Sequence, residues 1–183
     1  DNQPPVAIDD AFVGHEDQTI DGTLNVLIDN GAGADSDPEE DAFSVSAFDA
    51  TSTLGAVVSI TDEGVLTYDP TSAAGAQAIA QGEQADDTFT YTIKDVPGGE
   101  ATGTVTVTLT GANDAPSATD DLINMDEEAT HSSDLNTNAV DPDATDTLSF
   151  SVDDNVDNGV LSFDSGGAYS YAPATDFFGT DSF

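Results

Sequence analysis

Cysteine and arginine are absent from this 183-residue sequence, and Lys94 is its one lysine. Without cysteine there is neither a disulfide framework nor a thiolate zinc site, so stability has to come from a core and from whatever neutralises carboxylates. Against that single lysine stand 37 aspartates and glutamates, for a formal charge of −36. Such a charge opposes the backbone of nucleic acid and the anionic face of a membrane, and it excludes both as direct partners. No apolar run approaches the length of a membrane span, no Asn-x-Ser/Thr sequon occurs, and nothing at residue 1 reads as a signal peptide. The chain reads as a piece of a larger protein whose targeting signals lie outside it. Hydrophobic content is only 37%, yet the apolar residues alternate with Thr and Ser in strand-length runs. That alternation argues for a folded protein with its charge concentrated in loops.

What the sequence does have is repetition. Pro5-Val6-Ala7-Ile8-Asp9-Asp10 returns 111 residues later as Pro116-Ser117-Ala118-Thr119-Asp120-Asp121, and Glu16 falls on Glu127. Asp37-Pro38-Glu39 returns as Asp141-Pro142-Asp143, Gly64-x-x-x-Tyr68-x-Pro70 as Gly167-x-x-x-Tyr171-x-Pro173, and Asp87-Thr88-Phe89 as Asp181-Ser182-Phe183. A period near a hundred residues suits a string of independent domains, here residues 1–112 and 113–183, in a modular rod.

The first repeat predicts seven strands: Val6 to Val13, Thr19 to Leu27, Phe43 to Phe48, Leu54 to Ile60, Val65 to Tyr68, Thr88 to Ile93 and Thr102 to Leu109. In the sixth, Phe89, Tyr91 and Ile93 face one way and Thr88, Thr90 and Thr92 the other, and Val105, Val107 and Leu109 alternate likewise in the seventh. Seven such strands in about a hundred residues argue for a two-sheet antiparallel sandwich. Ala73 to Ala80 is the one plausible helix, limited by Gly75 and Gly82, and Pro97-Gly98-Gly99 supplies the last hairpin turn. In the second repeat, Leu148, Phe150 and Val152 mark a third strand. That repeat stops at Phe183, so it reads as truncated or as completed by a strand from another chain.

Antiparallel topology gathers the acids at the ends of the sandwiches. Glu16, Asp86, Asp87, Asn113 and Asp114 fall at the distal end of repeat one, and Asp141 and Asp143 at the proximal end of repeat two, so the two sets are expected to meet at the linker. Oxygen donors gathered with no Arg or Lys repel one another unless a hard divalent cation joins them, and calcium tolerates irregular geometry better than magnesium. Pro142 stiffens the loop that presents Asp141 and Asp143. Asp1-Asn2, Asp35, Asp37, Glu39, Asp41 and Asp95 form a second set at the proximal end of repeat one, and Glu127, Glu128, Asp176 and Asp181 a third at the distal end of repeat two.

The linker Gly111-Ala112-Asn113-Asp114-Ala115-Pro116 resembles the Asp-x-Asn-Asp-Asn-x-Pro linker of cadherins, and the Asp-Pro-Asp/Glu loop resembles their Asp-x-Asp calcium loop. Together with the Asp-Asp pair, the Gly-x-x-x-Tyr-x-Pro motif and Asp-Ser/Thr-Phe, these motifs resemble the bacterial cadherin-like tandem repeats of large surface and secreted proteins. The resemblance implies an all-β fold of tandem antiparallel Greek-key β-sandwiches, the second incomplete. It also implies calcium at the junctions and a secreted or cell-surface location, expected in a Gram-negative bacterium. Two departures stand out: Asn2-Gln3-Pro4 occupies the upstream linker position, and Glu39-Glu40 replaces the Asp-Gly that is frequent in the family.

The expected function is a calcium-dependent adhesion or extension module that binds like repeats. The alternative is a calcium-dependent module for extracellular polysaccharide, which exposed aromatics in a line would favour. An enzyme is not expected. No carboxylate pair stands in divergent environments, small domains leave little room for a substrate cleft, and His15 and His131 read as lone exposed imidazoles. Lys94 is expected to pair with a neighbouring carboxylate such as Asp95, and Phe177-Phe178 with Tyr169 or Tyr171 to pack in a core rather than to form an aromatic sugar platform.

Overall fold

A computed structural model describes residues 2–183. Its contacts divide the chain into two compact units, Asp1–Asp114 and Ala115–Phe183, and Asp1, a member of the expected proximal set, lies outside the described residues. Unit 1 contains β1 (Asp10–His15), β2 (Ile20–Asn25), β3 (Phe43–Phe48), β4 (Val57–Ile60), β5 (Val65–Asp69), β6 (Gln84–Asp95) and β7 (Glu100–Thr110). They build two sheets, β1-β7-β6-β3 and β2-β5-β4. Among the described residues there is no α-helix.

Every strand pair in unit 1 is antiparallel except β1 with β7, which runs in parallel from Asp10 opposite Val105 to His15 opposite Thr110. The two-sheet sandwich is the one expected, with this single parallel pair added to its antiparallel ladders. Strands one and seven of an alternating series point the same way, so if they are neighbours their ladder has to be parallel.

Between the sheets lies one core. Phe12, Val45, Phe89, Tyr91, Ile93, Val105, Val107 and Leu109 come from one sheet, and Val58, Ile60, Leu66 and Tyr68 from the other. The long β6–β7 hairpin supplies most of it because its strict alternation turns every second side chain inward. Its turn is held by Asp95, whose Oδ1 accepts from the backbone N–H of Gly98 (2.5 Å) and Gly99 (2.6 Å). A Cβ at Gly99 would stand 2.6 Å from Asp95 Oδ2 and 2.7 Å from Pro4 Cα, so the turn closes only around glycine.

The helix expected over residues 73–80 is not formed. The segment is a chain of tight turns in which Ala76 N bonds Ala73 O and Ile79 N bonds Ala76 O. Buried Ala73, Ala76 and Ile79 plug the core instead. Core packing overrides the alanine propensity here.

Unit 2 contains β8 (Ser117–Ala118), β9 (His131–Asp134), a 3-10 turn at Leu135–Thr137, β10 (Ala139–Val140), β11 (Gly159–Phe163) and β12 (Ala168–Pro173). The sheet β11-β12-β9 repeats the order of β4-β5-β2, and β8 pairs with β10 where unit 1 has the single bridge Val6 to Ser36. The strand expected at Leu148–Val152 is not a ladder strand. Its alternation of half-buried and exposed residues is present, but the unit 1 counterpart β3 pairs with residues 91–95 of β6, and with Asp87 aligned on Asp181 the residues of unit 2 correspond to β6 only as far as Phe89. Phe150 N bonds Ser165 O, as Val45 N bonds Asp62 O in unit 1.

The acids are not confined to loops. Asp10, Asp87 and Asp95 lie on strands and are buried, as are Glu16, Asp35 and Asp143. A buried carboxylate is stable only when several donors converge on it.

Candidate metal centre

In unit 2, the β8–β10 pair ends at Val140 and delivers the chain into Asp141-Pro142-Asp143. Asp143 N donates to Asp141 Oδ1 at 3.0 Å, and Asp146 N donates to the Asp143 carbonyl at 3.1 Å, closing a turn that brings a third carboxylate back. The carboxylate oxygens of Asp141, Asp143 and Asp146 lie within 4.8 Å of one another. Asp143 is buried, Asp141 half-buried and Asp146 exposed, so the cluster opens to solvent on one side. At that spacing each charge pair repels by about 3 kcal/mol for an effective dielectric constant of about 20. A hard divalent ion with oxygen ligands relieves this, and the donor set fits calcium. Asp146 is not among the ligands expected from sequence, although the spacing Asp-x-Asp-x-x-Asp was there to be seen.

The corresponding unit 1 loop is built differently. Asp37 Oδ1 accepts from Glu39 N (2.9 Å), as Asp141 Oδ1 does from Asp143 N, and also from Asp41 N (3.1 Å), and its Oδ2 is buried with no hydrogen-bond partner among the described residues. Glu39 is drawn away by Gln3, whose side-chain amide and backbone N–H donate to its two oxygens at 2.9 and 3.2 Å. Glu40 has a φ of +59°, a conformation glycine adopts without steric penalty. Asp95 takes Asn2 Nδ2 at 3.0 Å on Oδ2. Asp35 is turned into the core, where Ile8 N (2.7 Å) and the Tyr91 hydroxyl hold it, and is an interior anchor. No trio of carboxylates comparable to that of unit 2 forms among the described residues of unit 1.

At the other end of unit 1, Glu16 is fully buried, and its Oε1 accepts from Ala112 N at 2.5 Å. Glu16 N reaches Thr110 O at 3.3 Å, so the β1–β2 turn is tied to the exit of β7, with half-buried Asp114 and exposed Asn113 just beyond. Asp86 and Asp87 are adjacent in β6 and therefore diverge. Asp86 points outward and accepts from Thr108 Oγ1 at 2.7 Å. Asp87 points inward and both its oxygens are engaged: Oδ1 by Thr53 Oγ1 (2.8 Å) and Leu54 N (2.7 Å), Oδ2 by Tyr68 Oη (2.7 Å) and Ser52 Oγ. Burial pushes the Asp87 carboxyl up, but these four donors outweigh it and leave its pKa below the usual aspartate value.

Asp181 in unit 2 is the counterpart of Asp87. It accepts from Asp157 N (3.0 Å), Asn158 N (2.8 Å) and Tyr171 Oη (3.0 Å). Glu127, Glu128 and Asp176, expected beside it, are exposed. Lys94 pairs with Glu100 at 2.7 Å, not with adjacent Asp95, because neighbours on a strand face opposite ways while Glu100 is its cross-strand partner. His15 is exposed, whereas His131 is half-buried on β9 with its ring 6.0 Å from that of Tyr169. Tyr169 is buried, Tyr171 and Phe177 half-buried, and Phe178 exposed.

A comparison with curated protein sequences gave no match. Among solved structures, the human Desmocollin-1 ectodomain is 14% identical with a TM-score of 0.51, covering 97% of this chain and 32% of that one. The Protocadherin GammaB4 extracellular domain is 17% identical with a TM-score of 0.44, covering 95% of this chain and 29% of that one. The Desmocollin-1 likeness shows the fold, and the chain spans about a third of that ectodomain's length. Residues 113–183 match the sequence model of the bacterial Ig domain. Residues 2–111, more than half of the chain, match that of the bacterial cadherin-like domain, and the chain belongs to that family.

Proposed function

We propose that this chain is an extracellular extension and adhesion module in which calcium, held by Asp141, Asp143 and Asp146, orders the proximal end of unit 2 and stiffens the link to unit 1. The observation that carries the proposal is the carboxylate trio within 4.8 Å, in a chain whose one lysine is engaged elsewhere. Membership of the cadherin-like family supports it. Cadherin-like and Ig-like domains are typically non-catalytic. Among the described residues no helix is long and apolar enough to cross a membrane.

At millimolar calcium and a dissociation constant of about 0.1 mM, one site stabilises the folded form by roughly 1.5–3 kcal/mol. In exchange for an ordered loop the ion removes the repulsion within the trio. Like repeats are the partners the family points to. The polysaccharide alternative calls for a row of exposed aromatics: Tyr68, Phe89, Tyr91 and Tyr169 are buried, whereas Phe48, Phe178 and Phe183 are exposed.

The test is thermal unfolding over a calcium titration, with magnesium and chelator controls, on the natural chain and on the double variant Asp143→Asn/Asp146→Asn. A calcium-selective rise in midpoint that the double variant loses is the expected result. A rise no larger than that given by magnesium would leave an acidic spacer and overturn the proposal.

A further inference from the structure

The Asp9-Asp10 pair that closes the first repeated motif takes no part in the metal centre. Asp10 points into the core of unit 1, where Asp10 and Asp35 are 5% and 7% exposed and Tyr91 is fully buried between them. The Tyr91 hydroxyl oxygen lies 3.0 and 3.2 Å from the two oxygens of Asp35 and 3.4 Å from Asp10 Oδ2. It also lies 3.0 Å from the Ile8 carbonyl and 3.3 Å from that of Val26. Acceptors thus surround a hydroxyl that has a single proton to give.

The other donors are already committed. Ile8 N goes to Asp35 Oδ1 at 2.7 Å. Asn30 Nδ2 goes to Asp10 Oδ1 at 2.8 Å while also serving the carbonyls of Asn25 and Ile28. The one lysine is engaged with Glu100. Two buried carboxylates that share one hydroxyl cannot both stay ionised without a large penalty.

We propose that Asp10 and Asp35 share one additional proton through the Tyr91 hydroxyl, forming a pH-set clasp that ties β1, the connection after β2, and β6 together. Asp10 Oδ2 carries the proton and donates it to Tyr91 Oη, and Tyr91 donates its own to Asp35 Oδ2. Burial is the largest cause raising the Asp10 pKa, which stands at about 6 after the opposing hydrogen bonds of Asn30 and Tyr91 and the charges of Asp35 and Asp9 are included. Among the described residues the titratable groups facing Asp10 are Asp9, just before β1, Asp35 and Tyr91. β7 opposes it with apolar Val105. The folded chain keeps a proton between about pH 4, where an unfolded aspartate loses it, and pH 6. The stability the clasp adds is therefore present at acid pH and lost as pH rises through 6.

The test is a carboxyl-carbon NMR titration of the whole natural chain in chelator, repeated with calcium. An Asp10 midpoint near 6, unchanged by calcium, is the expected result. A midpoint near 4, or one that calcium lowers, would overturn the clasp, the second outcome by putting a cation where the proton is assigned. Asp10→Asn supplies an N–H where the proton would sit, so the variant is expected to lose most of the fall in melting temperature that the natural chain shows between pH 5 and 7. The natural chain's own titration decides the matter even if this variant does not fold.

Discussion

Tyr68 donates its hydroxyl proton to Asp87 at 2.7 Å, and Tyr171 makes the same bond to Asp181 at 3.0 Å. The tyrosine of each Gly-x-x-x-Tyr-x-Pro motif thus latches the aspartate of each Asp-Ser/Thr-Phe motif. In both units the same carboxylate also gathers backbone N–H groups from the preceding connection, Leu54 in one and Asp157 and Asn158 in the other. The latch pins the start of β6, or its counterpart, against the strand β5 or β12.

Removing the hydroxyl by Tyr68→Phe leaves one carboxylate oxygen short of a donor and is expected to destabilise unit 1 by about 1.5–3 kcal/mol, the range for hydrogen bonds to charged groups. Asp87→Ala strands Tyr68, Ser52, Thr53 and Leu54 N together and should cost more than about 3 kcal/mol. Urea unfolding followed by circular dichroism would show both, and a double variant costing the full sum of the two would argue against the latch.

The hydrogen-bonded acids and the clasp respond to pH in opposite senses. Burial pushes the carboxyls of Asp87, Asp95 and Asp181 up, but the hydrogen bonds they accept favour the charged form and hold them below the usual aspartate value. Their contribution is present above about pH 4 and is lost as pH falls below it. With Asp10 acting the other way, stability in chelator is expected to peak between about pH 4 and 6. Denaturant melts at half-unit steps from pH 3 to 8 would show the maximum, and stability rising steadily to pH 8 would refute it.

Calcium sensitivity should be lopsided along the chain. Glu39 is occupied by Gln3, so Glu39→Gln is expected to leave the calcium-induced rise in melting temperature nearly intact, while Asp143→Asn removes most of it. Backbone NMR shifts during the same titration should move the amides of residues 141–146 well before those of 37–41. The expectation that Glu16 and Asp114 add ligands is checked separately by Glu16→Gln and Asp114→Asn, each of which should weaken calcium binding.

Gly111 sits where β7 leaves the sheet, with its N–H on Glu83 O and its carbonyl on Gly82 N. A Cβ there would collide with the Ile79 and Ala80 carbonyls. Gly111→Ala should therefore destabilise unit 1 by about 2–4 kcal/mol through displaced backbone and loosen the Ala112 contact to Glu16. A change under about 0.5 kcal/mol in unfolding free energy would show that the turn relaxes freely.

Strands with strict alternation were the easiest part of the fold to read. The third matches Phe43–Phe48 at both ends, and the sixth and seventh extend a few residues beyond the runs of Thr and apolar residues. Pairing that depends on a distant partner was harder, as the unladdered Leu148–Val152 segment shows. Alanine content pointed to a helix over 73–80 because propensity is local, whereas the slot those residues fill is made by both sheets. At the site, the repeated Asp-Pro-Asp/Glu loop was visible in the sequence. The divergence of Asp86 from Asp87 and the return of Asp146 through a turn depend on side-chain direction, which spacing along a chain does not reveal.

The parallel pairing of β1 with β7 gives unit 1 a mechanical character. Both strands run from the same end of the sandwich to the other, so tension applied where the chain enters and leaves is directed along this ladder and loads its six register pairs together. An antiparallel pair pulled from one end would open bond by bond like a zipper. Here the strands must slide past each other, breaking several hydrogen bonds at once while Phe12 is dragged from the core. A domain so arranged is expected to resist stretching by shear along the whole ladder.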